Sequence, residues 1–195
     1  MSITIDDGSV GQDDFLGDDN NNHFHAGNGD NILTGAGGDD GLDGGAGNDV
    51  LTGDLGNDIL IGGDGNDNLN GGDGDDHLLG GAGDDVLTGE LGDDILHAGE
   101  GNDDLTGGPD NDQFSFYAAG DFIVQDFDVS ADTLIFESDS TGINNLEQLV
   151  SVITNFEDTS EGVVIHFVDD IASITLIGLQ SSDLSADMVG FSSGA

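Results

Sequence analysis

Carboxylates recur at a fixed interval through the first half of this 195-residue chain. Aspartate stands at every ninth residue over nine consecutive units, and Asn22 and Asn31 hold the same place in the two units before them. A carboxylate is a hard oxygen ligand that suits a hard cation. The spacing therefore indicates a row of equivalent cation sites rather than a pair of catalytic acids. The aspartates are Asp40, Asp49, Asp58, Asp67, Asp76, Asp85, Asp94, Asp103 and Asp112.

Each of these aspartates is the sixth residue of a nonapeptide. Eleven such units run from Gly17 to Ser115 without insertion or deletion, and glycine is frequent at positions one, two and four. Glycine permits a positive φ and a close approach of backbones, so successive carbonyl oxygens can point into one concavity. A cage of carbonyls and one carboxylate favours Ca²⁺, which takes about six to eight oxygen ligands, over Mg²⁺, which requires a tighter octahedron.

Two kinds of oxygen are expected to bind the calcium ions. The nine aspartates contribute carboxylates, and the surrounding loop residues contribute main-chain carbonyls. No thiolate ligand is available, because the chain has no cysteine. The expected carbonyl ligands are Asn31, Gly35, Gly37, Gly38, Gly44, Gly45, Ala46, Gly47, Gly53, Leu55, Gly56, Gly62, Gly63, Asp64, Gly65, Gly71, Gly72, Asp73, Gly74, Gly80, Gly81, Ala82, Gly83, Gly89, Leu91, Gly92, Gly99, Gly101, Gly107 and Gly108.

The charge balance supports a cationic partner and excludes several others. The chain has 42 Asp and Glu residues and no Lys or Arg, which gives a formal net charge of -42. Self-repulsion at this density opposes a compact state unless cations bind. Nucleic acids and anionic lipids are bound mainly through Lys and Arg, so neither is an expected partner. No apolar run is long enough for membrane insertion.

Short strands must position the loops. Side chains alternate across a strand, so the last three residues of each unit point position eight inward and its two neighbours outward. Position eight is large and apolar in all eleven units. Three residues cannot bury a core alone, but two units form an 18-residue turn, and stacked turns bury these side chains together. The predicted fold is all-β, a solenoid with parallel strands and a thin core.

The motif G-G-x-G-x-D-x-U-x, where U is large and apolar, is matched in full by residues 44–52, 62–70, 71–79 and 80–88. It resembles the calcium-binding repeat of the RTX family of secreted bacterial proteins. This resemblance implies a right-handed parallel β-roll in which each calcium lies between neighbouring loops on one edge, with aspartates that bridge successive ions. Units two to eleven would form four such pairs on each edge and hold about eight ions.

Some units depart from the motif. Unit one, residues 17–25, lacks the glycines and the aspartate, and unit eleven carries Pro109 and Asp110, so both are expected to end the roll. Position two is acidic only at Asp18, Asp54 and Glu90, which lie 36 residues apart and therefore on one edge. Drift within a duplicated block is favoured over a specialised binding face.

The composition changes after Ser115 toward that of a globular segment. Alternating or apolar runs predict strands over residues 122–127, 132–136, 162–168 and 172–177, and a helix is expected over 145–154. The segment resembles the carboxy-terminal region of serralysin-type proteases at Asp126–Asp128 and Leu184–Asp187, which implies a type I secretion signal. The expected domains are a lead-in over 1–16, the roll over 17–115 and a small capping segment over 116–195.

Recognisable catalytic motifs are absent from the sequence. It has no H-E-x-x-H zinc helix, no G-x-S-x-G elbow and no phosphate-binding G-x-x-x-x-G-K, so the chain is expected not to be an enzyme. His23 and His25 flank Phe24 at strand spacing and could hold a transition metal, although a solvent-facing position without a role is favoured.

The sequence thus predicts a secreted, extracellular calcium-binding protein that folds after export by the type I secretion apparatus. The first ten residues lack the basic start and apolar run of a classical signal peptide. Two alternatives stay open: a secretion and folding module for an extracellular protease or polysaccharide epimerase or lyase, and a calcium-dependent adhesin or membrane-active protein. Met1 and the lack of another domain favour a free-standing protein.

Overall fold

A computed structural model describes residues 4–116, 120–137, 148, 153–167 and 172–192. The described residues form strands and loops with almost no helix, which confirms the all-β prediction. The strands are β1 Thr4–Val10, β2 Asp14–Leu16, β3 His23–Asn28, β4 Ile32–Gly37, β5 Gly41–Ala46, β6 Val50–Leu55, β7 Ile59–Asp64, β8 Asn68–Asp73, β9 His77–Ala82, β10 Val86–Leu91, β11 Ile95–Glu100, β12 Asp104–Thr106, β13 Gln113–Phe116, β14 Asp121–Val124, β15 Thr133–Glu137, β16 Ile153–Asp158, β17 Gly162–Phe167, β18 Ser173–Ile177 and β19 Val189–Ser192.

The strands alternate between two sheets. One sheet has the order β1-β3-β5-β7-β9-β11-β13-β15-β19, and the other has the order β16-β17-β18-β14-β12-β10-β8-β6-β4-β2. Within the repeats every pairing is parallel and joins residues 18 apart, as in the row Leu51, Leu69 and Leu87. The expected two-unit turn and parallel β-roll are therefore confirmed.

The core of the roll consists mainly of the position-eight side chains. From Phe24 to Phe114 all eleven are buried, whereas Val50, Ile59 and Val86 at position seven are partly exposed. This alternation follows from the two-residue side-chain period of a strand. Both sheets contribute to one continuous apolar cluster, which extends into the cap.

Strands within the roll are longer than the three residues expected. Those from β3 to β11 contain six residues each, because positions two and three of the following unit also pair with their equivalents one turn away. Gly27 pairs with Gly45, for example, and Gly45 with Gly63. The backbone therefore stays hydrogen-bonded into the first half of each loop.

The cap continues both sheets beyond the repeats. β14, β15, β17 and β18 confirm the four expected strands, with β14 ending at Val124, and β17 runs antiparallel to both of its neighbours. Of the helix expected over 145–154, residues 145–147 and 149–152 lie outside the described residues, and Gln148 is helical. Ile153 and Thr154 belong to β16 instead, and Ile153 pairs with Phe167 of β17.

Aromatic rings connect the last turns of the roll to the cap. The Phe114 and Phe127 ring centroids are 5.8 Å apart, and Phe116 lies 5.0 Å from Phe122 and 6.0 Å from Phe136. These rings are buried, so they cover the apolar end of the solenoid as expected. From the sequence, Tyr117 is expected to join this seal, and it lies outside the described residues.

The first residues already take part in the solenoid. β1 pairs with β3 and β2 pairs with β4, both in parallel. The division at residue 16, like the other domain boundaries, stays a prediction of the sequence. Among the residues that the structure describes, no helix has the length and apolar character needed to cross a bilayer.

Replacing the central core residue Leu69 by alanine should lower the free energy of unfolding of the calcium-loaded protein by about 2–5 kcal/mol, because a cavity remains between stacked turns. Leu55→Ala is the matched control, since the Leu55 side chain is 58% exposed and its removal should change stability by no more than about 0.5 kcal/mol. Denaturant unfolding measures both variants. Equal losses would contradict the assignment of the core.

Candidate metal sites

The position-six aspartates form two ladders along the edges of the roll. Each of these aspartates is at most 4% exposed. The Oδ1 atom of each accepts the main-chain N–H of position six one turn earlier, as in Asp58 Oδ1 with Asp40 N at 2.7 Å. The odd edge, named for its odd-numbered units, contains Asp40, Asp58, Asp76, Asp94 and Asp112; the even edge contains Asp49, Asp67, Asp85 and Asp103.

The second carboxylate oxygen of each aspartate has no donor. In all nine residues Oδ2 is buried and accepts no hydrogen bond from the protein. A buried ionised carboxylate is costly unless it is paired or binds a metal. These oxygens therefore fit a cation that lies in the space between successive loops.

The loop glycines show what lines that space. A Cβ on Gly53 would collide with Asp58 Oδ2 and with the carbonyl oxygen of Gly71 in the next turn. A Cβ on Gly56 would collide with the Gly38 oxygen, and the φ of Gly56 is +127°. Positions one and four thus require glycine or a very small residue, because oxygens of neighbouring turns approach the backbone closely.

Burial shifts the titration of the ladder carboxyls. Loss of solvation is the largest cause and is reinforced by neighbouring carboxylates, while the N–H bond to Oδ1 opposes it. The pKa of Asp58, Asp67, Asp94 and Asp103 rises to about 6, and the pKa of Asp76, Asp85 and Asp112 rises to about 7. The metal-free fold therefore opposes full ionisation of its own ladders.

The expected ligands are carboxylate and main-chain oxygens that line each loop, and they do not form clusters of acidic side chains. Among the described residues, no group of three or more His, Asp or Glu side chains converges on one point. Each cage instead combines carboxylate and main-chain oxygens. The position-three carbonyls already accept one hydrogen bond, as Asp64 O does from Gly47 N at 2.8 Å, and retain one lone pair for a ligand. The individual ligand assignments stay predictions.

A second ladder at position five was missed from the sequence. The side-chain oxygen at this position accepts the N–H of position five one turn later, as in Asn48 Oδ1 with Asn66 N at 2.8 Å and Asn66 Oδ1 with Asp84 N at 3.1 Å. This ladder is exposed and runs opposite to the position-six ladder. The signal was present, since all eleven units carry Asn or Asp there.

Asp126 and Asp132 were also missed. Asp132 Oδ1 accepts the N–H of Asp112 at 3.0 Å, so it continues the odd-edge ladder into the cap. The two oxygens of Asp126 accept the N–H groups of Gly107 and Gly108. Asp132 lies 20 residues after Asp112, outside the nine-residue period, but it precedes Thr-Leu-Ile as a ladder aspartate precedes its strand.

The histidine pair lies on the outer surface. His23 and His25 are exposed on β3, and His25 Nδ1 lies 2.8 Å from Asp43 Oδ2.

Two of the three acidic position-two residues, Asp54 and Glu90, lie in one sheet, since both pair with Gly72. Both have a positive φ, at 74° and 82°. They occupy the predicted common edge.

The fold and the loops together define a parallel β-roll whose edges are rows of oxygen cages. The family profile described as RTX calcium-binding nonapeptide repeat (4 copies) matches residues 7–42, 16–51, 43–78, 52–87 and 79–114, which together cover more than half of the chain. The chain belongs to this family, whose repeats bind Ca²⁺.

Solved structures with a similar fold include the AlgE6R3 subunit of the Azotobacter vinelandii mannuronan C5-epimerase. It is 26% identical, with a TM-score of 0.50 over 67% of this chain and 80% of that chain. Extracellular lipase LipA from Serratia marcescens is 18% identical, with a TM-score of 0.39, and the match covers 94% of this chain and 40% of the lipase. No curated protein sequence matches the chain.

Gly56→Ala should destabilise the calcium-loaded protein by about 2 kcal/mol or more. Alanine is strained at the positive φ of this position, and its methyl group would meet the Gly38 oxygen. Gly11→Ala provides the control, since a Cβ there has no atom within 4 Å. Denaturant unfolding at saturating calcium compares the two. A Gly56 variant as stable as the Gly11 variant would refute the close inter-turn approach.

The metal-free fold should be most stable at low pH. The pKa values of the folded ladder carboxyls lie above the unfolded value of about 4, so the stability that their protonation gives is present below about pH 4 and is lost as pH rises to about 7. The metal-free chain, unfolded at neutral pH, should therefore gain β-type circular dichroism as pH falls from about 7 to 4 without added calcium. Circular dichroism across this range measures the gain. A metal-free chain whose signal stays unchanged over this range would contradict the shifts.

Proposed function

We propose that this chain is a secreted, non-enzymatic protein that folds by binding about eight calcium ions between the loops of its β-roll. The observation that carries this proposal is the row of nine buried Oδ2 atoms without a donor. The net charge of -42 means that the chain as a whole also requires bound cations, because it has no Lys or Arg to neutralise its carboxylates.

Calcium supplies the positive charge that the loop oxygens lack. The chain's own residues hold those oxygens in place: the N–H bond to Oδ1 orients each carboxylate, so that Oδ2 faces the space between turns. Glycines at positions one and four let the carbonyls of adjacent turns approach. Because a site needs two stacked loops, binding and stacking stabilise each other.

Coupled folding suits export of an extended chain. At low calcium the repulsion between carboxylates keeps the roll unfolded, and an exterior rich in calcium then stabilises the native state by mass action. The resemblance of Asp126–Asp128 and Leu184–Asp187 to serralysin-type carboxy termini supports type I secretion. Proteins with the repeats of this family are generally extracellular, which supports an extracellular location.

A role as the folding module of an extracellular enzyme is the second candidate. It is favoured by the similarity to AlgE6R3, which is a subunit of a mannuronan C5-epimerase. Both candidates require the same calcium-dependent roll. Mixing the calcium-loaded chain with a secreted enzyme encoded beside it and measuring refolding yield of that enzyme distinguishes them.

The first test is a calcium titration of the chelator-treated chain. We expect a cooperative gain of β-type circular dichroism and about eight bound ions per chain. Magnesium at the same concentrations is the control and should produce little folding, since it favours a tighter octahedral shell. A chain already folded in chelator, or one indifferent to calcium, would refute the proposal.

A further inference from the structure

Asparagine replaces aspartate at position six at the start of both edges. Asn22 begins the odd edge and Asn31 begins the even edge, and both are buried. Their main-chain N–H groups enter the ladders like the others, since Asn31 N donates to Asp49 Oδ1 at 2.7 Å. The side chains carry an NH₂ group in place of one carboxylate oxygen and have no charge.

That NH₂ group donates to the loop oxygens. Asn22 Nδ2 shares its two hydrogens among the carbonyls of Asp18 at 3.2 Å, of Gly35 at 3.4 Å and of Asn20, and Asp40 Oδ1 at 3.1 Å. The carbonyls belong to the residues at positions two and four of the same loop and at position one of the next loop on the edge. Asn31 Nδ2 makes the equivalent bond to Gly44 O at 3.2 Å.

The amide nitrogen occupies the place of the orphan oxygen. A Cβ built on Gly17 would meet Asn22 Nδ2 and Gly35 O, and one built on Gly53 would meet Asp58 Oδ2 and Gly71 O. The two environments are therefore equivalent, but one contains a donor that satisfies the surrounding oxygens and the other contains one more acceptor. Only the second needs a cation.

We propose that Asn22 and Asn31 close the calcium array by standing in for an ion, so that no calcium binds between their loops and the next ones. This inference rests on the proposed calcium binding. It reassigns Asn31, which the sequence placed among the ligands. Of the eight loop pairs expected to hold calcium, the pair formed by units two and four is then excluded, which leaves seven.

The other end of the odd edge is closed in a related way. Asp132 ends that ladder, and its Oδ2 accepts the N–H of Asp128 at 2.8 Å, unlike Oδ2 of the nine repeat aspartates. A main-chain donor in the cap thus does what the asparagine amide does at the first loops. At both ends of the odd edge, donors of the protein itself make hydrogen bonds to the oxygens that a cation would otherwise neutralise.

Unit two offers the sharpest test because its loop is otherwise complete. It has Ala26, Gly27 and Gly29 at positions one, two and four, the same residue types as Ala98, Gly99 and Gly101 of unit ten, which carries Asp103. Asn31→Asp should therefore create one additional calcium site. Asn57→Asp is the matched control, because it adds the same charge at the exposed position five.

Native mass spectrometry counts the calcium ions bound to wild type and to each variant at saturation. We expect one ion more for Asn31→Asp and an unchanged count for Asn57→Asp. An unchanged count for Asn31→Asp, with wild type still loaded, overturns this inference and leaves the proposed function standing. A wild-type chain that binds no calcium refutes the proposed function instead.

The reverse exchange keeps the test decisive if Asn31→Asp does not fold. In Asp85→Asn the amide oxygen can still accept the N–H of Asp67, and the new NH₂ group should satisfy the cage. We expect one ion fewer, with the calcium-loaded circular dichroism retained. An unchanged ion count, or loss of the calcium-induced fold, would overturn the proposal.

Discussion

The whole structure depends on a carboxylate of which only one oxygen is satisfied. In each repeat aspartate Oδ1 is bound to a main-chain N–H of the preceding turn, while Oδ2 is buried among oxygens. Neither oxygen can move to water without breaking the stack. The protein contains no Lys or Arg that could neutralise this charge, so the requirement for a cation is repeated along both edges. Stacked turns and bound ions therefore need each other.

The remaining features of the repeat make this arrangement possible. Position eight supplies the buried side chains, but a core only two sheets thick stabilises a turn only when both neighbours are present. Position five adds exposed side-chain bonds that run opposite to those of position six. The two ladders bracket each loop and align successive turns. The hydrogen bonds of the two ladders thus define the geometry of the stacked loops.

The ends of the array require a different solution, because a terminal loop has no neighbour on one side. Side-chain amides meet this need at the first loops, and a main-chain N–H from the cap meets it at Asp132. The aromatic contacts from Phe114 to Phe127 and from Phe116 to Phe136 cover the last apolar turn. An acidic, glycine-rich chain can then form a bounded solenoid with a defined set of sites, as the proposed calcium-dependent folding requires.

The nine-residue period and the residue types that it repeats predicted the parallel strands, the inward position-eight side chains and the two edges, and indicated position six as the expected ligand. They could do so because identical units that bury one residue in each strand stack in one register. Tertiary structure decided which carboxylate oxygen stays without a donor, how far the strands extend into the loops, and that Asp132 joins the ladder from outside the period. These features depend on which N–H groups remain unpaired once the turns have stacked, and stacking joins residues 18 or 20 positions apart that no local pattern connects.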